Sequence, residues 1–117
     1  GIENMDNRKK SYKTLGDFDA TFSQDKKYKM ILDVNHIYSN DASMELAKDF
    51  YTKFKYRIGQ IHLSGYTGYH DPLFQTKQDE IISAIQDFNV PIIIESVLAP
   101  EDLEKEMNYI LEVVSKL

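Results

Sequence analysis

An α/β fold of parallel strands, each followed by a helix, is what this sequence predicts, and three observations carry that expectation. Four short apolar stretches each end in a polar residue followed by loop chemistry. Helical patterns with recognisable caps separate them. The stretches are near-continuous in Ile, Leu and Val, as suits strands of a parallel sheet covered by helices. Strand and helix alternating four times in one chain imply right-handed crossovers.

The strands are Gly1-Ile2 running into Glu3, Met30-Ile31-Leu32, Ile58 to Leu63, and Pro91 to Ile94. Thr14, with Asp17 three residues on, opens a short amphipathic helix through Leu15, Phe18 and Phe22 to about Gln24. Asp41 is a natural N-cap for a longer helix to about Lys55, with Leu46, Ala47, Phe50, Tyr51 and Phe54 as its apolar stripe. Thr76 with Asp79 opens a third helix carrying Ile81, Ile82, Ile85 and Phe88, which Asn89-Val90-Pro91 ends. Pro100 suits the first turn of the last helix, whose Leu103, Met107, Ile110, Leu111 and Val114 line one side. No low-complexity linker interrupts the pattern, so residues 1–117 are read as a single domain.

Composition narrows the function classes. The chain has 117 residues, 42% hydrophobic and 28% charged, which bounds it to one globular domain. A formal net charge of -5 argues weakly against a nucleic-acid partner, although an acidic protein can carry a local basic site. Without cysteine, disulfides, thiolate metal sites and Cys nucleophiles drop out together, and any metal must be held by Asp, Glu and His. That is compatible with the cytoplasm, the expected location. The longest apolar run, Val90 to Ile94, is far short of the roughly 20 residues that span a bilayer. No membrane partner is expected, and the start shows no signal pattern.

A small doubly wound sheet and part of a βα barrel both suit the alternation. The polar residues that end the strands favour the barrel: Glu3, Asp33, His62 and Glu95 follow one another at 30, 29 and 33 residues, one βα unit each. Each falls at the C-terminal end of its strand, where barrel active sites are built. Three carboxylates and an imidazole form an oxygen-rich ligand set suited to one divalent metal such as Mn²⁺, Mg²⁺, Co²⁺ or Zn²⁺. Such a cluster needs a dication or protons to offset its repulsion. The alternative for each residue taken singly is a helix cap or a surface ion pair.

The segments Ile2-Glu3-Asn4-Met5, Leu32-Asp33-Val34-Asn35-His36, Gln60-Ile61-His62-Leu63-Ser64, His70-Asp71-Pro72-Leu73 and Ile92-Ile93-Ile94-Glu95 occur in the order and at about the spacing of the xylose-isomerase-like TIM barrels. The chain resembles the last four strand-helix units of that superfamily, which includes sugar (phosphate) isomerases and epimerases and endonuclease IV. The resemblance implies a (βα)4 C-terminal half-barrel in which Glu3, Asp33, His62 and Glu95 hold one metal. In the epimerase branch it implies a sugar or sugar phosphate substrate. Proton abstraction beside a carbonyl would run through a metal-stabilised enediolate, with Glu3 and Glu95 as paired catalytic acid and base. His36 would then reach a substrate hydroxyl.

The endonuclease branch implies a zinc cluster that cuts at abasic sites. It uses the same four residues plus His36, His70, an Asp two positions before His70, and two histidines from the other half. Here that Asp is replaced by Gly68, and the family's glycine-rich stretch after His-x-Pro-Leu is replaced by Phe74-Gln75-Thr76-Lys77. Asp71 is the nearest substitute. A third reading is a catalytically inert fragment or binding module, because half of the pocket wall is missing.

His70, the second candidate substrate-binding residue, lies in a Gly/Tyr-rich loop able to close over a ligand. Arg8, Lys9, Lys10 and Lys13 follow Glu3 and read as a solvated charged loop, or as a seat for a substrate phosphate. A half-barrel also leaves two sheet edges and an apolar face uncovered. Self-association, or completion by an N-terminal half, is therefore expected.

Overall fold

The computed structural model describes residues 1–24 and 27–117. Its strands β1 (Ile2–Glu3), β2 (Met30–Asp33), β3 (Ile58–Leu63) and β4 (Ile92–Ile94) form one parallel sheet in the order β1-β2-β3-β4. Each strand lies beside its neighbour in sequence, and the order does not reverse. The α/β expectation is met at this level. Ile58 pairs with Met30 and Gln60 with Ile31, so a one-residue irregularity falls at Gly59.

The helices cover one face of the sheet. Met30, Leu32 and Ile61 on that face are completely buried, while Ile93 on the other is 41% exposed. Strand alternation places Asp33 with Ile31, His62 with Gln60, and Glu95 with Ile93 on the more open face. The core lies between sheet and helices. Phe18 and Phe22 of α1 (Leu15–Phe22) pack edge-on against Phe50 and Phe54, with ring centroids 5.5 Å and 5.1 Å apart. The capping box of Thr14 and Asp17 forms as the sequence implies.

Other helix boundaries differ from the sequence pattern. An additional helix, α2 (Val34–Asn40), follows β2 without a loop, and its N-cap is Asp33, which accepts the His36 N–H at 3.0 Å. The strand-end motif therefore conceals a helix start. The helix expected from Asp41 begins later, as α3 (Glu45–Phe54), because Met44 takes a left-handed φ of 63°. Asp41 still satisfies the start of this segment, accepting from the Ser43 and Leu46 N–H groups.

The helix expected from Thr76 to Phe88 is broken. Lys77, with φ 56°, separates α4 (Leu73–Thr76) from α5 (Asp79–Ser83), and Thr76 ends the first of these instead of capping the second. Ile81, Ile82 and Ile85 reach the core, but Phe88 is 43% exposed.

Pro100 opens a 3₁₀ turn ahead of α6 (Leu103–Ser115). This helix is rotated from the expected stripe: Glu106, Ile110 and Val113 are buried, while Leu103, Met107 and Leu111 are exposed. Met107 and Leu111 line an apolar groove with Phe88, Ile92, Ile94, Ile110 and Val114, along the β4 edge. Among the described residues no helix is long and apolar enough to cross a membrane.

Candidate metal centre

Parallel pairing in register brings the four strand ends together. Glu3 ends β1 and Asp33 ends β2 directly opposite His62 of β3. Glu95 lies one residue beyond β4, where its N–H extends the ladder to the Leu63 carbonyl at 2.9 Å. Ligating atoms of Glu3, Asp33, His62 and Glu95 all fall within 4.8 Å of one another. His62 Nδ1 sits 3.1 Å from Glu95 Oε1 and 3.4 Å from Glu3 Oε1, between the two carboxylates.

Exposure separates the roles these groups can play. The Asp33 side chain is 1% exposed, against 27% for Glu3 and 35% for Glu95. Asp33 can face an ion but not bulk solvent, whereas both glutamates open to the surface. Burial pushes the Asp33 carboxyl up to about 8, and the nearby Glu3 and Glu95 carboxylates add to the effect against the opposing His36 N–H.

Two buried atoms, Asp33 Oδ2 and His62 Nδ1, have no hydrogen-bond partner among the described residues. His62 is within ion-pair distance of both glutamates, yet without hydrogen-bond alignment. Unsatisfied buried polar atoms are costly, and a dication among them would satisfy both and offset the repulsion of three carboxylates. The residues present fit such an ion.

Asn4 and His36 brace this cluster. The Asn4 side chain is 1% exposed; its Oδ1 accepts the Asp33 N–H at 2.7 Å and its Nδ2 donates to the Asp33 carbonyl at 2.9 Å. The Asn4 carbonyl lies 2.7 Å from His36 Nδ1, and a carbonyl partner requires that nitrogen to carry the proton. The other ring nitrogen, Nε2, lies 3.4 Å from Asp33 Oδ2.

A second group of possible ligands, Asp33, His36 and His70, shares Asp33 with the first. The His36 and His70 rings stand 5.4 Å apart. Burial lowers the His70 pKa, and the charge on His36 lowers it further. His70 Nδ1 meets the Ser64 hydroxyl at 2.8 Å.

The loop that carries His70 is tied down. Asn35 Nδ2 donates to the Gly65 and Tyr69 carbonyls at 2.6 Å and 2.9 Å, and the Gln78 amide bonds both the N–H and the C=O of Tyr66. Gly68 has φ 118°, unfavourable for any residue with a Cβ, and Asp71 Oδ2 accepts from the Thr67 N–H and hydroxyl at 2.7 Å each. Neither position supplies a carboxylate to the second group. Of the basic residues after β1, Arg8 folds onto Asp6 and holds that carboxyl below its usual range, while Lys9 and Lys10 are exposed.

The bracing residues Asn4, Asn35, Ser64 and Gln78 did not stand out as functional in the sequence. For Asn4, Asn35 and Ser64 the only signal was a short polar side chain within two residues of a candidate strand-end ligand; Gln78 had none. Comparison of the chain with protein-family models, curated proteins and solved structures returns no match.

Proposed function

We propose that the chain is the C-terminal half of a xylose-isomerase-like βα barrel that binds one divalent metal ion through Glu3, Asp33, His62 and Glu95. The reading extends to proton transfer on a sugar or sugar phosphate of the isomerase or epimerase kind. The observation that carries it is the convergence of four strand-end ligands within 4.8 Å, with two of their buried atoms unsatisfied. The unreversed strand order and the single helix-covered face support a barrel segment over a doubly wound sheet.

A bound dication would polarise a substrate carbonyl and its neighbouring hydroxyl. The chain's own groups divide the remaining work. Asp33, closed off from solvent, holds only the ion. Glu3 and Glu95 flank His62 and open to the surface, so their carboxylates can remove a proton from carbon on one side and return one on the other. His36, oriented by the Asn4 carbonyl, is close enough to the cluster to contact a substrate hydroxyl.

The test is deuterium exchange at the carbon beside the carbonyl. A ketose and its phosphate, incubated in D₂O with the Mn²⁺-loaded protein, should gain deuterium, and Glu95→Gln should abolish the gain. Loaded protein that leaves every ketose unlabelled would end the isomerase reading.

A second reading, an endonuclease IV-like zinc hydrolase acting at abasic sites, is favoured by the Asp33-His36-His70 group beside the first. The left-handed Gly68 and the engaged Asp71 weigh against a full three-metal cluster. Completion of the barrel is part of the proposal. With β1 and β4 at the sheet edges and the groove of Ile92, Ile94, Met107 and Leu111 alongside β4, a second copy or an N-terminal half would cover what is left open.

A further inference from the structure

Glu106 is completely buried on α6, a helix whose other inward positions, Ile110 and Val113, are apolar. A buried carboxylate is costly unless donors meet it, and here three do. Its Oε2 accepts the Leu73 N–H at 2.8 Å and the Ser96 hydroxyl; its Oε1 accepts the Phe74 N–H at 2.8 Å. Leu73 and Phe74 begin α4, whose N-cap, Pro72, offers no side-chain acceptor. Their N–H groups would otherwise be orphaned.

The source of the three donors is informative. Two belong to the segment that leaves His70, three and four residues on, and the third belongs to Ser96, next to Glu95. These segments already meet where the Val97 N–H donates to the His70 carbonyl at 2.9 Å. One carboxylate from a third element thus ties the exit of β4 to the His70 loop. The tie lies one residue beyond Glu95, whose own N–H is held by the Leu63 carbonyl.

We propose that Glu106 is a positioning residue for the metal centre, acting through Ser96 on Glu95 and through α4 on His70. The inference rests on the metal reading above. Outer groups that orient ligands typically change metal affinity by about 10- to 100-fold when removed.

The experiment uses Co²⁺ alone, titrated into wild type, Glu106→Gln, Ser96→Ala and Ser96→Thr while the visible spectrum of the bound ion is followed. Ser96→Ala removes a single donor and leaves two backbone partners on Glu106, so it keeps the test open should Glu106→Gln fail to fold. Expected is a Co²⁺ affinity lowered about 10- to 100-fold in Ser96→Ala, with a shifted spectrum, and recovery in Ser96→Thr, which keeps the hydroxyl. A merely structural role would lower thermal stability while leaving the spectrum and affinity of the folded protein unchanged. That result would overturn the inference alone, whereas wild type that binds no Co²⁺ would overturn the metal reading and this inference with it.

Discussion

Asn4 grips the backbone of Asp33 from both sides, accepting its N–H at 2.7 Å and donating to its C=O at 2.9 Å. The side chain thus continues the β1–β2 ladder where β1 itself ends, and holds a buried candidate ligand at its strand end. Asn4→Ala leaves the buried Asp33 N–H without its acceptor, while the Asp33 C=O, as N-cap of α2, keeps the first bond of that helix. At about 1–3 kcal/mol for an unsatisfied group, the variant should be destabilised by that amount. Denaturant unfolding of the metal-free protein measures this, and a loss below about 0.5 kcal/mol would show that water replaces the amide without cost.

The Asp33 carboxyl gives the metal-free fold a pH dependence of definite sign. Its folded pKa of about 8 lies above the ordinary 3.8, so the stabilising contribution is fully present below pH 4 and is lost as pH rises through 8. Across that window the folded chain holds a proton that the unfolded chain has released. Stability from this group should fall by roughly 1 kcal/mol per pH unit. Asp33→Asn should flatten the slope, and divalent metal affinity should rise with pH as the ion displaces the proton. Unfolding curves for both proteins between pH 5 and 8 decide the point; equal slopes would assign the trend to other groups.

Gly65 and Gly68 test the loop that carries His70 in different ways. A Cβ on Gly65 would lie 2.6 Å from Thr76 Oγ1 and 2.9 Å from the Asp71 carbonyl, so Gly65→Ala must push the loop off its seat. A loss of about 1–3 kcal/mol and a displaced His70 are expected. Gly68 has open space around it but φ 118°, so Gly68→Ala should cost about 1 kcal/mol through backbone strain alone. Comparing the two by unfolding and by the His70 ring resonances separates clash from strain; a larger cost at Gly68 would contradict this account.

The groove beside β4 should mediate assembly. Met107 and Leu111 are 41% and 58% exposed there, next to the edge of β4 that pairs with no other strand among the described residues. Sedimentation at tens of micromolar should show a species larger than the monomer, which Leu111→Lys shifts toward monomer without loss of helix content. A monomeric wild type would remove self-association as the route to a complete barrel.

The strands and the four candidate ligands were legible in the sequence because both follow from strong local patterns. Short Ile/Leu/Val runs mark strands, and a polar residue ending each run at one βα period marks the active end of a parallel sheet. The helix starts were less legible. Asp33 is a candidate ligand and an N-cap at once, which concealed α2, and the left-handed Met44 and Lys77 delayed or broke helices that periodicity joined. The rotation of α6 had no local signal. An acidic residue in an amphipathic helix reads as exposed, and Glu106 turns inward only because Leu73, Phe74 and Ser96, brought near by the fold, aim three donors at it.

The most direct test of the central claim is divalent metal binding by wild type and Glu95→Gln, using protein purified without chelator and titrated with Mn²⁺ under calorimetry. One Mn²⁺ per chain in the wild type, weakened at least tenfold in Glu95→Gln, is the predicted result. Wild type that binds no divalent ion, or a Glu95→Gln variant that binds equally well, would contradict a metal centre built from Glu3, Asp33, His62 and Glu95.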